Sequence, residues 1–176
     1  MAQKIIFVGG IHGVGKTTFC NNLSSLVNAE IFSASELIAK INKQGFNREK
    51  RVSNYPESQK LLLIAINKFL HPKKLYILDG HFCLLNINNK IVKIPVDTFQ
   101  KLKPICIVLL YDSPKNILSR LKERDSVHWD LGLLEDFQNQ EIEYSREIAN
   151  TLDIPYIKIT PNSPVENLYS FLSNFL

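Results

Sequence analysis

Two patterns of apolar and polar positions alternate along the chain. Short apolar runs rich in β-branched residues predict strands at Lys4 to Val8, near Glu30 to Phe32, and at Leu75 to Leu78, Ile105 to Leu110 and Tyr156 to Ile159. Between them lie segments bounded by helix start and stop signals. Lys16 to Val27 follows a glycine-rich loop, Ser35 to Lys43 stops before Gly45, and Pro56 to Leu70 opens on a proline and ends before His71-Pro72. Pro114 to Glu123 follows the capping pair Asp112-Ser113, Leu133 to Thr151 carries apolar residues at helical spacing, and Pro164 to Phe175 follows Asn162-Ser163. A strand followed by a helix, repeated about five times, predicts an α/β fold in which helices cover a parallel sheet.

Composition narrows the reading. At 176 residues, with 45% hydrophobic and 22% charged positions, the chain is expected to form one domain over residues 1–176. Its apolar runs fall well short of the roughly 18 to 20 residues that cross a bilayer, and no cleavable leader is visible, so a soluble cytoplasmic protein with no membrane partner is expected. Cys20, Cys83 and Cys106 form no C-x-x-C pair and no zinc spacing, and read as reduced, buried thiols. The net charge of +4 suits a polyanionic partner. The basic residues are dispersed, however, and their densest cluster, Asn47 to Arg51, contains Glu49; this is compatible with a nucleotide and argues little for nucleic acid. No internal repeat or linker divides the chain.

Candidate chemistry concentrates in three places. Gly10-Ile11-His12-Gly13-Val14-Gly15-Lys16-Thr17 fits G-x-x-x-x-G-K-[ST] and lies between a predicted strand and a predicted helix. Glycines there let consecutive N–H groups close on phosphate oxygens, and the helix adds the positive end of its dipole. Gly13, Val14 and Gly15 would cradle phosphate, Lys16 would reach the β- and γ-phosphates, Thr17 would offer its hydroxyl to Mg²⁺, and Thr18 would reach the α-phosphate. At the end of the third predicted strand, Asp79 is placed to hold a Mg²⁺-bound water. His81 after it either orients water or touches an acceptor, or packs beside the site. Arg120 and Arg124, four residues apart on one helix face, would converge on a transferred phosphoryl group, with paired surface arginines as the other reading. Arg48 and Arg51 would bind an acceptor phosphate or form a solvated loop. Asn162 and Ser163 would border a nucleotide base or cap a helix, and Trp129 reads as packing.

"GGIHGVGKTT", "YILDGHF" and "RLKERD", in this order, resemble the small P-loop kinases of the archaeal-type adenylate kinase group, which includes nuclear adenylate kinase-like ATPases with a D-x-H segment. The resemblance spans nearly the whole chain. It implies the P-loop NTPase fold: a doubly wound, five-stranded parallel sheet of order 2-3-1-4-5 with helices on both faces and a small lid. It also implies ATP and Mg²⁺, an acceptor region over residues 33–70 and a lid over 120–135. The phosphate loop then falls on Gly13 to Thr18, the D-x-H on Asp79 and His81, and the lid arginines on Arg120 and Arg124.

Several function classes follow. The leading expectation is an ATP-dependent nucleoside monophosphate kinase, whose acceptor phosphate would be positioned by Arg48 and Arg51. A hydroxyl acceptor would instead call on Asp79 or Glu36 as base. The D-x-H resemblance keeps a regulatory ATPase with a protein or RNA partner in view. A signalling GTPase is disfavoured because Asn67-Lys68-Phe69-Leu70 lacks the aspartate of N-K-x-D, and a ring ATPase because the chain has no room for the additional helical domain.

Overall fold

The computed structural model describes residues 3–42, 55–86, 88–124 and 129–176. The two most apolar runs form adjacent strands. β1 (Lys4–Gly9) is buried from its second residue onward and β6 (Cys106–Leu110) throughout, as expected of parallel strands covered on both faces. β1 pairs in parallel with β6 on one side and with β3 (Leu75–Asp79) on the other. β2 (Glu30–Ser33) lies outside β3, and β7 (Tyr156–Ile159) outside β6. The five-stranded sheet runs β2-β3-β1-β6-β7, the 2-3-1-4-5 order expected above. Strand order reverses at β1, so its C-terminal end and those of its neighbours border the crevice in which doubly wound sheets bind ligands.

The helices fill the expected gaps. α1 (Lys16–Val27) packs against β1, β2 and β3. α2 (Ala34–Ile41) packs on α3 (Tyr55–Phe69), and α5 (Pro114–Arg124) on α6 (Leu131–Leu152), which also contacts β6. Asp130 caps α6, its Oδ1 accepting from the Leu133 N–H at 2.9 Å. The buried positions of α6 are Leu134, Phe137, Gln138, Glu141, Tyr144, Ser145, Ile148 and Ala149, a stripe with steps of three and four residues. α7 (Val165–Leu172) ends three residues earlier than the pattern predicts. Among the described residues no helix is long and apolar enough to cross a membrane.

One stretch was not anticipated. β4 (Cys83–Leu85) and β5 (Ile91–Lys93) form an antiparallel pair, followed by α4 (Val96–Leu102). Strands of three residues are too short to show a period, and the turn is closed by asparagine: Asn86 Oδ1 accepts from the N–H groups of Asn88 and Lys90, each at 2.9 Å. Beneath this hairpin Phe7, Phe82 and Phe99 meet, with ring centroids 4.9 to 5.5 Å apart. Such aromatic pairs add about 0.5–1.5 kcal/mol each beyond area burial. They anchor the segment that follows β3 to the core.

Candidate active site at the strand ends

The loop between β1 and α1 takes its shape from its glycines. Gly13 has φ +77° and Gly15 φ +106°, left-handed conformations that cost a side-chain-bearing residue energy. A Cβ at Gly13 would also lie 2.7 Å from Leu121 Cγ, so α5 sits directly against the loop. Gly15 is the N-cap of α1 and no side chain caps the helix. The N–H groups of its first turn therefore remain able to bind an anion.

Lys16 is buried at the start of α1. Its Nζ donates to Gly10 O at 2.7 Å and Ile11 O at 3.2 Å, and lies 4.0 Å from Asp79 Oδ1. Burial holds its pKa below the usual lysine range; Asp79 and Glu141 oppose that shift, and the positive charge of Arg124 adds to it. Thr17 and Thr18 are exposed on the same turn. Asp79 ends β3, in register with Val8 of β1 and Ser33 of β2. Burial raises its pKa, Lys16 partly reverses the rise, and the charge of Glu36 adds to it. Ser33 stands opposite Asp79 at the end of β2, and its hydroxyl is 2.8 Å from that of Ser35 at the start of α2.

His81 packs its ring 4.4 Å from that of His12, centroid to centroid. Burial, then the charges of Lys16 and His12, hold its pKa well below the ordinary value, so the imidazole is neutral. Its Nδ1 is 4.0 Å from Glu141 Oε1. Trp129 extends this cluster, 6.3 Å from the His12 ring, with its indole N–H buried.

The two arginines take different positions. Arg120 Nη1 donates to Gly13 O at 3.1 Å and Val14 O at 3.2 Å, while Nη2 pairs with the carboxylate of Asp112. Arg124, at the end of α5, is exposed and near enough to Lys16 for their charges to interact. Asn162 is exposed on the turn after β7. That turn is closed by Ser163, whose Oγ accepts from the Thr160 N–H at 3.0 Å. Its neighbour Pro161 would be 3.4 Å from a Cβ on Gly15, which places the turn against the loop. A shallow depression lies there, lined by Phe19, Asn22, Pro161 and Ser163 among others.

The structure thus gathers Lys16, Asp79, His81, Arg120 and Arg124 around one loop, with Asn162 beyond Gly15. Arg48, Arg51 and the rest of 43–54, together with 125–128 of the expected lid, lie outside the described residues. Two participants, Glu141 and Gln138, went unnoticed in the sequence, and a third, Asp112, was expected only as a helix cap. Glu141 accepts hydrogen bonds from the N–H groups of Gly10, Phe82 and Cys83. Burial raises its pKa to about 7 against these bonds and the charge of Lys16. Gln138 accepts from Asp112 N–H at 3.1 Å and donates to Asp112 O at 2.9 Å, and Asp112 holds Arg120. The available signal was a glutamate and a glutamine on the apolar stripe of α6.

Thr17 and Asp79 offer oxygen donors beside the loop between β1 and α1. Among the described residues no cluster of three His, Cys, Asp or Glu side chains forms a metal cage of its own. Such a donor set fits Mg²⁺, which keeps waters and takes phosphate oxygens rather than a full protein shell. The three cysteines are buried and free, with thiol pKa values pushed up to about 12, first by burial.

Residues 9–132 match the family described as AAA domain. Among solved structures, shikimate kinase from Acinetobacter baumannii in complex with shikimate has a TM-score of 0.59 at 20% identity, over 99% of this chain and 96% of that one. Deoxyadenosine kinase from M. mycoides, with products dCMP and a flexible dCDP bound, gives 0.54 at 20% identity over 97% and 96%. A gluconokinase from Sinorhizobium meliloti 1021 gives 0.52 at 13% identity over 96% and 88%. The shared feature is the P-loop kinase fold. No curated protein matches the sequence significantly.

Proposed function

Since the chain belongs to the AAA domain family, we propose that it is an ATP-dependent kinase of a small molecule, with a nucleoside monophosphate as the acceptor that the sequence resemblance favours. The observation that carries this reading is Lys16, held between the loop carbonyls and Asp79 at the mouth of an uncapped helix. The kinase names of the three structural neighbours support it. In this proposal residues 1–176 act as one cytoplasmic domain, with acceptor region 33–70 and lid 120–135.

The proposed mechanism follows from these positions. The N–H groups of residues 13–18 bind the phosphates of ATP, and Lys16 exchanges the carbonyls of Gly10 and Ile11 for the β- and γ-phosphates. Thr17 and Asp79 would hold Mg²⁺, which supplies charge neutralisation on the phosphates. Arg124 approaches from the end of α5, where its charge is already felt by Lys16. Arg120 holds α5 to the loop and reaches the transferred group only on release from Asp112. Neutral His81 orients the acceptor or a water, and Asn162, exposed on the turn after β7, borders the base.

A second reading, a hydroxyl acceptor, draws on the carboxylates of Asp79 and Glu36, the charge of Glu36 adding to the rise in the Asp79 pKa. A carboxylate with a raised pKa suits a base that accepts a hydroxyl proton and repels a monophosphate. The test is incubation with ATP and Mg²⁺, with each common nucleoside monophosphate, with nucleosides and small polyols, and with no acceptor, beside Lys16→Met. A diphosphate formed from one monophosphate supports the leading reading, and a phosphorylated hydroxyl the second. ADP and free phosphate alone would refute the kinase and favour a regulatory ATPase with a protein or RNA partner.

A further inference from the structure

Gly10, at the start of the phosphate loop, and the segment that follows β3 meet on a single carboxylate. Glu141 is 1% exposed and accepts from three backbone N–H groups: Gly10 at 3.2 Å and Phe82 at 2.9 Å on Oε1, Phe82 at 3.0 Å and Cys83 at 2.6 Å on Oε2, with His81 Nδ1 also 4.0 Å from Oε1. A carboxyl group buried on a mostly apolar stripe is costly unless it is hydrogen-bonded, and an aliphatic residue would fill the position at less cost. What the carboxylate adds is a link between two segments distant in sequence. Gly10 opens the loop, and Phe82 and Cys83 follow the Asp79–His81 turn. The carbonyl of the same Gly10 receives Lys16 Nζ at 2.7 Å.

We propose that Glu141 is a positioning residue for phosphate binding: by gripping Gly10 on one side and Phe82 and Cys83 on the other, it fixes Lys16 opposite Asp79. The inference rests on the kinase reading above. One turn earlier on α6, Gln138 grips Asp112 through both its N–H and its carbonyl. Helix α6 therefore fixes the chain at the ends of β1, β3 and β6 at once.

Glu141→Gln separates this role from a merely structural one. Both carboxylate oxygens are in use, so an amide of the same shape turns one acceptor into a donor facing an N–H. ATP affinity is measured by calorimetry well below the unfolding temperature, together with amide hydrogen exchange. The matched control is Tyr144→Phe, which removes a buried bond from the same helix, the hydroxyl donating to Ile94 O at 2.6 Å, without touching the loop. Glu141→Gln is expected to stay folded, lose protection at Gly10, Phe82 and Cys83, and bind ATP at least about tenfold more weakly. Tyr144→Phe is expected to lose stability alone. Wild-type affinity in Glu141→Gln, or an equal loss in Tyr144→Phe, overturns the proposal. Should Glu141→Gln not fold, the wild-type amides decide: slow exchange at all three upholds the grip, and exchange as fast as in exposed loops overturns it. Wild-type protein that binds no ATP overturns the kinase reading as well, whereas a tight-binding Glu141→Gln overturns only the role of Glu141.

Discussion

Removing the Arg120 side chain tests how α5 is held against the phosphate loop. Its guanidinium bridges the carbonyls of Gly13 and Val14 and the carboxylate of Asp112. The Arg120 side chain is 38% exposed and that of Asp112 14%, so water screens the pair. After that discount it contributes about 1 kcal/mol rather than the larger value of a buried charged bond. Each carbonyl bond adds about 0.5 kcal/mol, so Arg120→Ala should cost about 2 kcal/mol. For a chain of this size that is a Tm loss of about 4–8 °C. Asp112→Asn keeps an oxygen for the Ser113 N–H and Asn116 but turns an NH₂ group toward the guanidinium. In a thermal double-mutant cycle the two substitutions should therefore couple by about 1 kcal/mol. Burial by itself would raise the pKa of Asp112, but bonds from Arg120, Asn116 and Ser113 outweigh it and the net shift is downward. A depressed carboxylate pKa stabilises the fold above its unfolded value near 3.8, and the benefit disappears as pH falls through the folded pKa. The stability gap between wild type and Arg120→Ala should accordingly narrow to about 1 kcal/mol, the share of the two carbonyl bonds, as the medium is acidified below that value. A Tm loss under about 2 °C at neutral pH, or strict additivity in the cycle, would refute the reasoning.

Burial raises the pKa of Asp79, so its ionised form costs stability as pH rises through the folded pKa. Asp79→Asn should leave Tm equal or higher while turnover falls about 10–100-fold, and a lower Tm with full turnover would contradict both halves. Gly13→Ala adds left-handed strain and a clash with Leu121 and should cost about 2–4 kcal/mol in denaturant titration. Gly15→Ala meets nothing nearer than Pro161 at 3.4 Å and should cost only the strain, about 1–2 kcal/mol; equal losses would show that contact with α5 is immaterial. With thiol pKa values of about 12, Cys20, Cys83 and Cys106 should resist iodoacetamide at mildly alkaline pH until the protein unfolds, and rapid alkylation of the native protein would count against their burial.

The sheet, its parallel order and the loop from Gly10 to Thr17 were legible in the chain because their causes are local. β-branched runs, a glycine pattern and a helix start occupy consecutive residues, and the resemblance of those segments carried the strand order. The β4–β5 hairpin and α4 were not legible, since strands of three residues and a helix of seven show no period that outweighs their neighbours. The difference is sharpest at Glu141. In sequence it is one more glutamate on a charged helix, and its partners Gly10, Phe82 and Cys83 lie 131, 59 and 58 residues away. Arg120 shows the same limit: its spacing from Arg124 fixes a shared helix face, whereas its engagement with Gly13, Val14 and Asp112 depends on where α5 meets the loop. Local backbone preference and periodicity determined the elements and the phosphate loop. Which charges face which backbone groups was decided only when distant segments packed, because a buried charge must find its partners wherever the fold brings them.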